Sequence, residues 1–204
     1  MVAHRTSIIA GEGWPLIIGL IIAGALIWRL FGWIWFTPIG ALIVIAIFVF
    51  RDPWREIPPL PLGVVSPVDG RVLAVNTVQD VQLPGRWTRL QLSANPWGAY
   101  TVRSPIEGAV LNMREQIGGG SINGLWLRSE ENDDVVLLFP SRRPMMTPKA
   151  FVSSGERLGQ GQRFAYLRLS PAAELFVPAT ASLRVAVGDR VKAGCDVVAD
   201  LAPQ

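Results

Sequence analysis

Histidine occurs once in this 204-residue chain, at position 4, and cysteine once, at position 195. One cysteine excludes an internal disulfide and any multi-cysteine zinc site. A histidine confined to the N-terminal tail excludes a Ser-His-Asp hydrolase in the rest of the chain and argues against a catalytic metal centre, whose ligands are usually His or Cys with carboxylates. Charge is also scarce, at 17% of residues against about 25% in an ordinary soluble domain. The net charge of +3 is small, and no run of five like charges occurs. That pattern gives no nucleic-acid footprint and only a weak pull toward an anionic bilayer surface.

Apolar residues make up 50% of the chain, and the excess is local. From Trp14 to Phe50 the only charge is Arg29. Leu30–Phe50 reaches the ~20 residues a membrane helix needs, and Trp14–Trp28 falls slightly short of it. Gly32 and Pro38 are positioned to break or kink the path. Trp28, Trp33 and Trp35 crowd around Arg29, as indoles do at a headgroup interface. The pattern predicts an α-helical membrane hairpin of two short helices over residues 14–50, behind a tail at 1–13. Arg5 before it and Arg51 and Arg55 after it predict both ends on the cytoplasmic side of the inner membrane. A re-entrant hairpin is the main alternative. A second apolar segment argues against a cleaved signal peptide.

Residues 51–62 form a collar in which Pro53, Pro58, Pro59 and Pro61 forbid a continuous helix. Arg51 and Arg55 are expected to pair with Asp52 and Glu56. Beyond it, residues 63–204 show no sustained 3.6-residue period. Ten short apolar runs, from Val64-Val65 to Leu183–Val187, are bounded by Gly, Pro, Asn or Ser and read as strands. Two echoes stand out. Ser66-Pro-Val-Asp-Gly-Arg-Val-Leu73 recurs as Ser104-Pro-Ile-Glu-Gly-Ala-Val-Leu111, a turn in which Pro sets one backbone angle and Gly is expected to supply a positive one. Gly155-Glu-Arg-Leu158 with Gly161 recurs as Gly188-Asp-Arg-Val191 with Gly194. Such paired elements resemble flattened barrels of the lipoyl and biotinyl type, a hint about fold rather than function.

Other candidates carry less. Gly118-Gly119-Gly120-Ser121 lacks the Lys and Ser/Thr of a phosphate loop. A lipoyl-type carrier needs a lysine at a hairpin tip, where this chain has Asp69 and Glu107. Glu130-Glu131 and Asp133-Asp134 read as a solvated acidic loop.

Several motifs in order resemble the short, membrane-anchored branch of the phosphatidylserine decarboxylase family. These are Gly11-Glu-Gly-Trp-Pro15, Phe50-Arg-Asp-Pro53, Val64-Val-Ser-Pro-Val-Asp-Gly-Arg-Val72, Arg103-Ser-Pro-Ile-Glu-Gly108 and the Val185–Gly194 stretch. The resemblance implies an enzyme that cuts its own chain at a serine to leave a covalent pyruvoyl group. The pyruvoyl carbonyl condenses with the amine of phosphatidylserine and draws electrons as CO₂ leaves. It further implies a phospholipid partner and a role for Asp69, at the family aspartate. It leaves open a homo-oligomer or an active paralogue as protein partner.

Two departures accompany the match. Where the branch reads V-H-x-N-R-[SA]-P, Ala99-Tyr-Thr-Val-Arg-Ser-Pro105 has Tyr100 for the histidine, and a phenol of ordinary pKa near 10 is a poor proton carrier at neutral pH. Counting back from Pro178, Ser170 falls on the family glycine and Pro171 on the family serine. The resemblance therefore predicts a family member with a degenerate pyruvoyl site. The alternatives are an active decarboxylase processed at Ser170 and, from another class, a lipoyl-like structural adaptor in a membrane complex.

Overall fold

The computed structural model describes residues 10–79, 85–115, 122–140, 148–167 and 171–202. The chain divides into two compact units, Met1–Trp54 and Arg55–Gln204.

The first unit holds α1 (Trp14–Phe31) and α2 (Trp33–Val49) behind one 3₁₀ turn at Gly11–Gly13. Pro15 sits at the start of α1, where its missing N–H costs nothing. Gly32 ends the helix at φ +88° and turns the chain into α2, a conformation that glycine adopts without strain. Pro38, by contrast, is carried within α2 without ending it. The helices run back along each other. Gly24 lies against Phe36 and Ile39, and Ala10 N–H donates to the Phe50 carbonyl at 2.7 Å. At 18 and 17 residues they measure roughly 27 and 26 Å by the helical rise. Among the described residues no helix is long and apolar enough to cross a membrane.

The second unit is almost entirely β. Its first half contains β1 (Gly63–Val65), β2 (Gly70–Val78), β3 (Trp87–Ala94), β4 (Thr101–Arg103), β5 (Gly108–Glu115), β6 (Ile122–Arg128) and β7 (Asp134–Leu138). The second half adds β8 (Lys149–Ala150), β9 (Arg157–Leu158), β10 (Arg163–Tyr166), β11 (Ala172–Pro178), β12 (Ser182–Leu183), β13 (Arg190–Val191) and β14 (Val197–Asp200). Eight strands make an open sheet in the order β13-β2-β3-β11-β7-β6-β5-β9. Its edge strands are two residues long, which leaves little backbone for a stray strand to pair with. Two three-stranded sheets, β1-β14-β12 and β4-β10-β8, complete the unit. Alternation along β11 sends Ala173, Leu175 and Val177 into the main core with Leu90, Leu92, Leu125 and Leu137. Phe176 faces the other way, against Trp87 and Val136.

The echoes are an internal twofold. Ser66 Oγ donates to the Val68 carbonyl at 2.8 Å and Ser104 Oγ to the Ile106 carbonyl at 2.7 Å. The halves exchange bonds across the axis: Val65 N–H to the Pro105 carbonyl and Arg103 N–H to the Pro67 carbonyl, at 2.8 and 3.0 Å. Each S-P turn is clasped by its partner turn, Gly194 N–H to the Ser66 carbonyl and Gly161 N–H to the Ser104 carbonyl, both at 2.8 Å.

Glycine's part in the first echo differs from the expected one. Neither Gly70 nor Gly108 has a positive φ. They are required because a Cβ would lie 1.9 Å from the Ser93 carbonyl oxygen at Gly70 and 2.2 Å from that of Arg128 at Gly108. Positive φ falls in the second echo, at Gly155, Gly161, Gly188 and Gly194. The acidic stretch also departs from a solvated loop. Asp133 is buried, Asp134 pairs with Arg128 at 2.7 Å, and Glu130 pairs with Arg157.

Candidate functional site

The Ser66-Pro67-Val68 turn delivers Asp69 to the start of β2, and the loop joining β3 to β4 closes over it. Asn95 N–H donates to the Asp69 carbonyl at 2.8 Å. Gly98 passes so near that a Cβ there would sit 2.7 Å from the Asp69 Cβ. The carboxylate receives four donors. Arg55 Nη1 and Nη2 reach Oδ1 and Oδ2, each at 2.7 Å. Ala193 N–H reaches Oδ1 at 2.8 Å and Ala99 N–H reaches Oδ2 at 2.9 Å. Both partners are largely enclosed, with side chains 8% (Arg55) and 12% (Asp69) exposed.

Burial by itself pushes the Asp69 carboxyl up. The Arg55 hydrogen bonds, the two backbone N–H groups and the Arg55 charge outweigh it and hold the carboxyl below its ordinary value. Arg55 is likewise raised: desolvation lowers it, and the bonds and charge of Asp69 more than compensate. Asp69 is therefore a fixed anion, its oxygens filled, rather than a group poised to take up a proton at neutral pH.

The sequence offers Asp52 and Glu56 as local partners for Arg51 and Arg55. The partner of Arg55 is Asp69, 14 residues on. The collar's prolines keep Arg55 out of a helix, so its side chain can turn toward the first β turn. Arg55 lies among the collar prolines upstream of the S-P turn, and nothing in residue spacing selects a partner across a fold.

Tyr100 stands in the same loop. Its hydroxyl donates to the Pro96 carbonyl at 2.8 Å and its ring lies 6.2 Å from that of Tyr166. The phenol is thus spent on its own loop rather than on Asp69. Ser170 lies outside the described residues. Its described flanks are both tied to the loop around Asp69: Leu167 N–H donates to the Tyr100 carbonyl at 2.6 Å, and the Pro171 carbonyl accepts Ala94 N–H at 2.9 Å. Gly70 pairs with Ala94 on the other side of β3. Asp69 and Pro171 are accordingly two strand spacings apart, about 10 Å. The fold therefore brings Asp69, Tyr100 and the ends of the segment holding Ser170 to one end of the large sheet. Trp97, 71% exposed, stands on the same loop.

The twofold makes the site visible by contrast. Glu107 occupies the place of Asp69 in the other half, yet its side chain is 60% exposed and, among the described residues, reaches Arg157 alone, at 3.5 Å. A buried arginine–aspartate pair in one half of a duplicated β domain, which follows two apolar helices in the chain, defines a class of β protein with a single specialised turn. The comparisons supply its family. The chain is 31% identical over 205 residues to the phosphatidylserine decarboxylase proenzyme of Nitrosomonas europaea, covering 95% of each. It is 30% identical over 209 residues to that of Burkholderia cenocepacia, covering 95% of this chain and 96% of the other. The chain belongs to the phosphatidylserine decarboxylase family. No family model matches it. Among solved structures, the glucose permease IIA of Mycoplasma capricolum aligns at TM-score 0.48 and 16% identity over 68% of this chain and 94% of that one, too distant to carry an argument.

Proposed function

We propose that this chain is a membrane-attached member of the family that engages phosphatidylserine-type phospholipid and whose pyruvoyl site is degenerate. The observation that carries this reading is the saturated Asp69 carboxylate. Self-cleavage needs a group that takes the serine proton and returns it to the leaving amine. Among the described residues at this end of the sheet, Asp69 is held ionised by four donors and the Tyr100 hydroxyl is bound to Pro96. The pyruvoyl group that family membership implies is thus a poor fit to these residues.

Membrane attachment is supported by the outward apolar side chains of the helices, among them Leu26, Leu30, Ile34 and Val44. Exposed Trp97 beside the site adds an indole of the kind that settles at a headgroup interface. The basic flanks Arg51 and Arg55 favour a cytoplasmic β domain on the inner membrane, with Arg55 now committed to Asp69. The twofold exchange between S-P turns supports kinship with the flattened lipoyl-type barrels.

The second reading is an active decarboxylase cut before Ser170. It is favoured by the hydrogen bonds that tie Leu167 and Pro171 to the loop around Asp69. Intact mass decides between them. An uncut chain of 22.3 kDa that releases no CO₂ from phosphatidylserine is the expected result. Two fragments separated between Leu169 and Ser170, the smaller blocked at its N-terminus, would overturn it.

A further inference from the structure

The twofold axis relates two surface spots whose backbones agree and whose charges do not. In the second half, Arg157 on β9 lies opposite Ala109 on β5 and is neutralised by Glu107 and Glu130. In the first half, the corresponding partners are Arg190 on β13 and Arg71 on β2, directly across the ladder. Both are exposed. Among the described residues, the carboxylates of the other half have no equivalent here. The counterpart of Glu107 is Asp69, turned inward onto Arg55. The counterpart of Glu130 is Asn95, which follows Ala94 as Glu130 follows Ser129: Ala94 N–H bonds the Pro171 carbonyl as Ser129 N–H bonds that of Asp133. Nearby Asp189 and Asp196 are occupied in their own turns, accepting Ala186 N–H and Lys192 N–H, each at 2.8 Å.

Two like charges directly opposed on a ladder destabilise a sheet. Here they stand where the duplicate has one arginine and two glutamates. From them a row of paired residues crosses the large sheet, Arg190 to Arg71 to Ser93 to Ala172. It ends two residues past Ser170, about 10 Å from Arg71 by strand spacing. Arginine side chains can close most of that distance, and their planar forks match phosphate oxygens two at a time.

We infer that Arg71 and Arg190 form a phosphate subsite that holds the phosphodiester of a lipid headgroup and points its amino-acid end toward the β11 end of the sheet. The inference rests on the phospholipid reading above, and it concerns binding alone.

The test is calorimetric titration of the detergent-solubilised full chain with glycerophosphoserine, free serine and inorganic phosphate. The diester is expected to bind best, with serine at least about tenfold weaker. R71Q or R190Q should lose about tenfold and the double variant about a hundredfold, as for charge-assisted contacts. R71K/R190K, which keeps the charge and loses the fork, should fall between. Both positions are exposed, and relief of the Arg–Arg opposition can only help the fold, so a melting temperature no lower than that of the wild type certifies each variant. Diester binding that survives in R71Q/R190Q, no binding by the wild-type chain, or inorganic phosphate binding as tightly as the diester would each overturn the headgroup subsite. Self-cleavage at Ser170 would end the degenerate reading without touching this result, and arginine-independent capture of the diester would end the subsite alone.

Discussion

Replacing Arg55 by glutamine tests the centre of the site. The substitution removes a bidentate partner at 2.7 Å from a carboxylate that is 12% exposed. Removing one member of a buried pair costs about 3–5 kcal/mol, because the other charge stays enclosed. Two backbone donors remain on Asp69, so a loss of about 2–4 kcal/mol is expected. For a chain of this size that lowers the melting temperature by roughly 5–15 °C. The pH dependence has a definite sign. The folded Asp69 carboxyl lies below its unfolded value, so its stabilisation is complete above about pH 5 and is lost as pH falls through the folded value. The gap between wild type and R55Q should therefore be widest near neutrality and close in acid. Thermal melts of the full chain in detergent, followed by tryptophan fluorescence from pH 3 to 8, supply the measurement. D69N and R55Q/D69N complete a double-mutant cycle, and the double variant should lose well under the sum of the singles. Additive losses, or an R55Q melting point within a degree or two of wild type, would refute the coupling.

Gly70→Ala and Gly108→Ala should each cost more than Gly188→Ala in urea midpoint. The first two drive a Cβ into a neighbouring carbonyl, whereas Gly188 faces open space and pays only for its positive φ, about 1–2 kcal/mol. Equal losses at the three positions would show that the close carbonyl approaches at Gly70 and Gly108 relax at little cost and would refute the steric account of these two glycines. Y100H alone should leave the chain uncut, since the serine stays out of register. Y100H combined with S170G and P171S should yield two fragments split between positions 170 and 171, read by intact mass. Cleavage of the single variant would assign the block to Tyr100 alone.

Much of the β domain was written in its local signals. The S-P turns, both echoes and most strand cores follow from Pro, Gly and alternating apolar residues, and these are the parts governed by short-range sterics. Of the two-residue strands, β9 and β13 fall within the second echo, whereas β8 escaped, since two residues carry no periodicity of their own. Leu183–Val187, read as a strand, pairs at Ser182–Leu183 and through Arg184 N–H to the Val198 carbonyl, after which the turn closed by Ala186 and Asp189 draws the run away. At the site, Asp69 and Tyr100 were visible as motif positions. Arg55 was not, because it reaches Asp69 across a proline collar whose path no local rule specifies.

The sequence by itself determined the family, the apolar N-terminal segment, the duplicated turns and the two departures at Tyr100 and Ser170, all of which are matters of residue identity and order. The tertiary structure alone decided what those residues do to one another. It made Asp69 a saturated anion, committed Tyr100 to Pro96, and left Arg71 and Arg190 facing each other without the glutamates of their duplicate. The reason is physical: hydrogen-bond occupancy and charge balance belong to side chains brought together from distant strands, and only the folded arrangement fixes which ones meet.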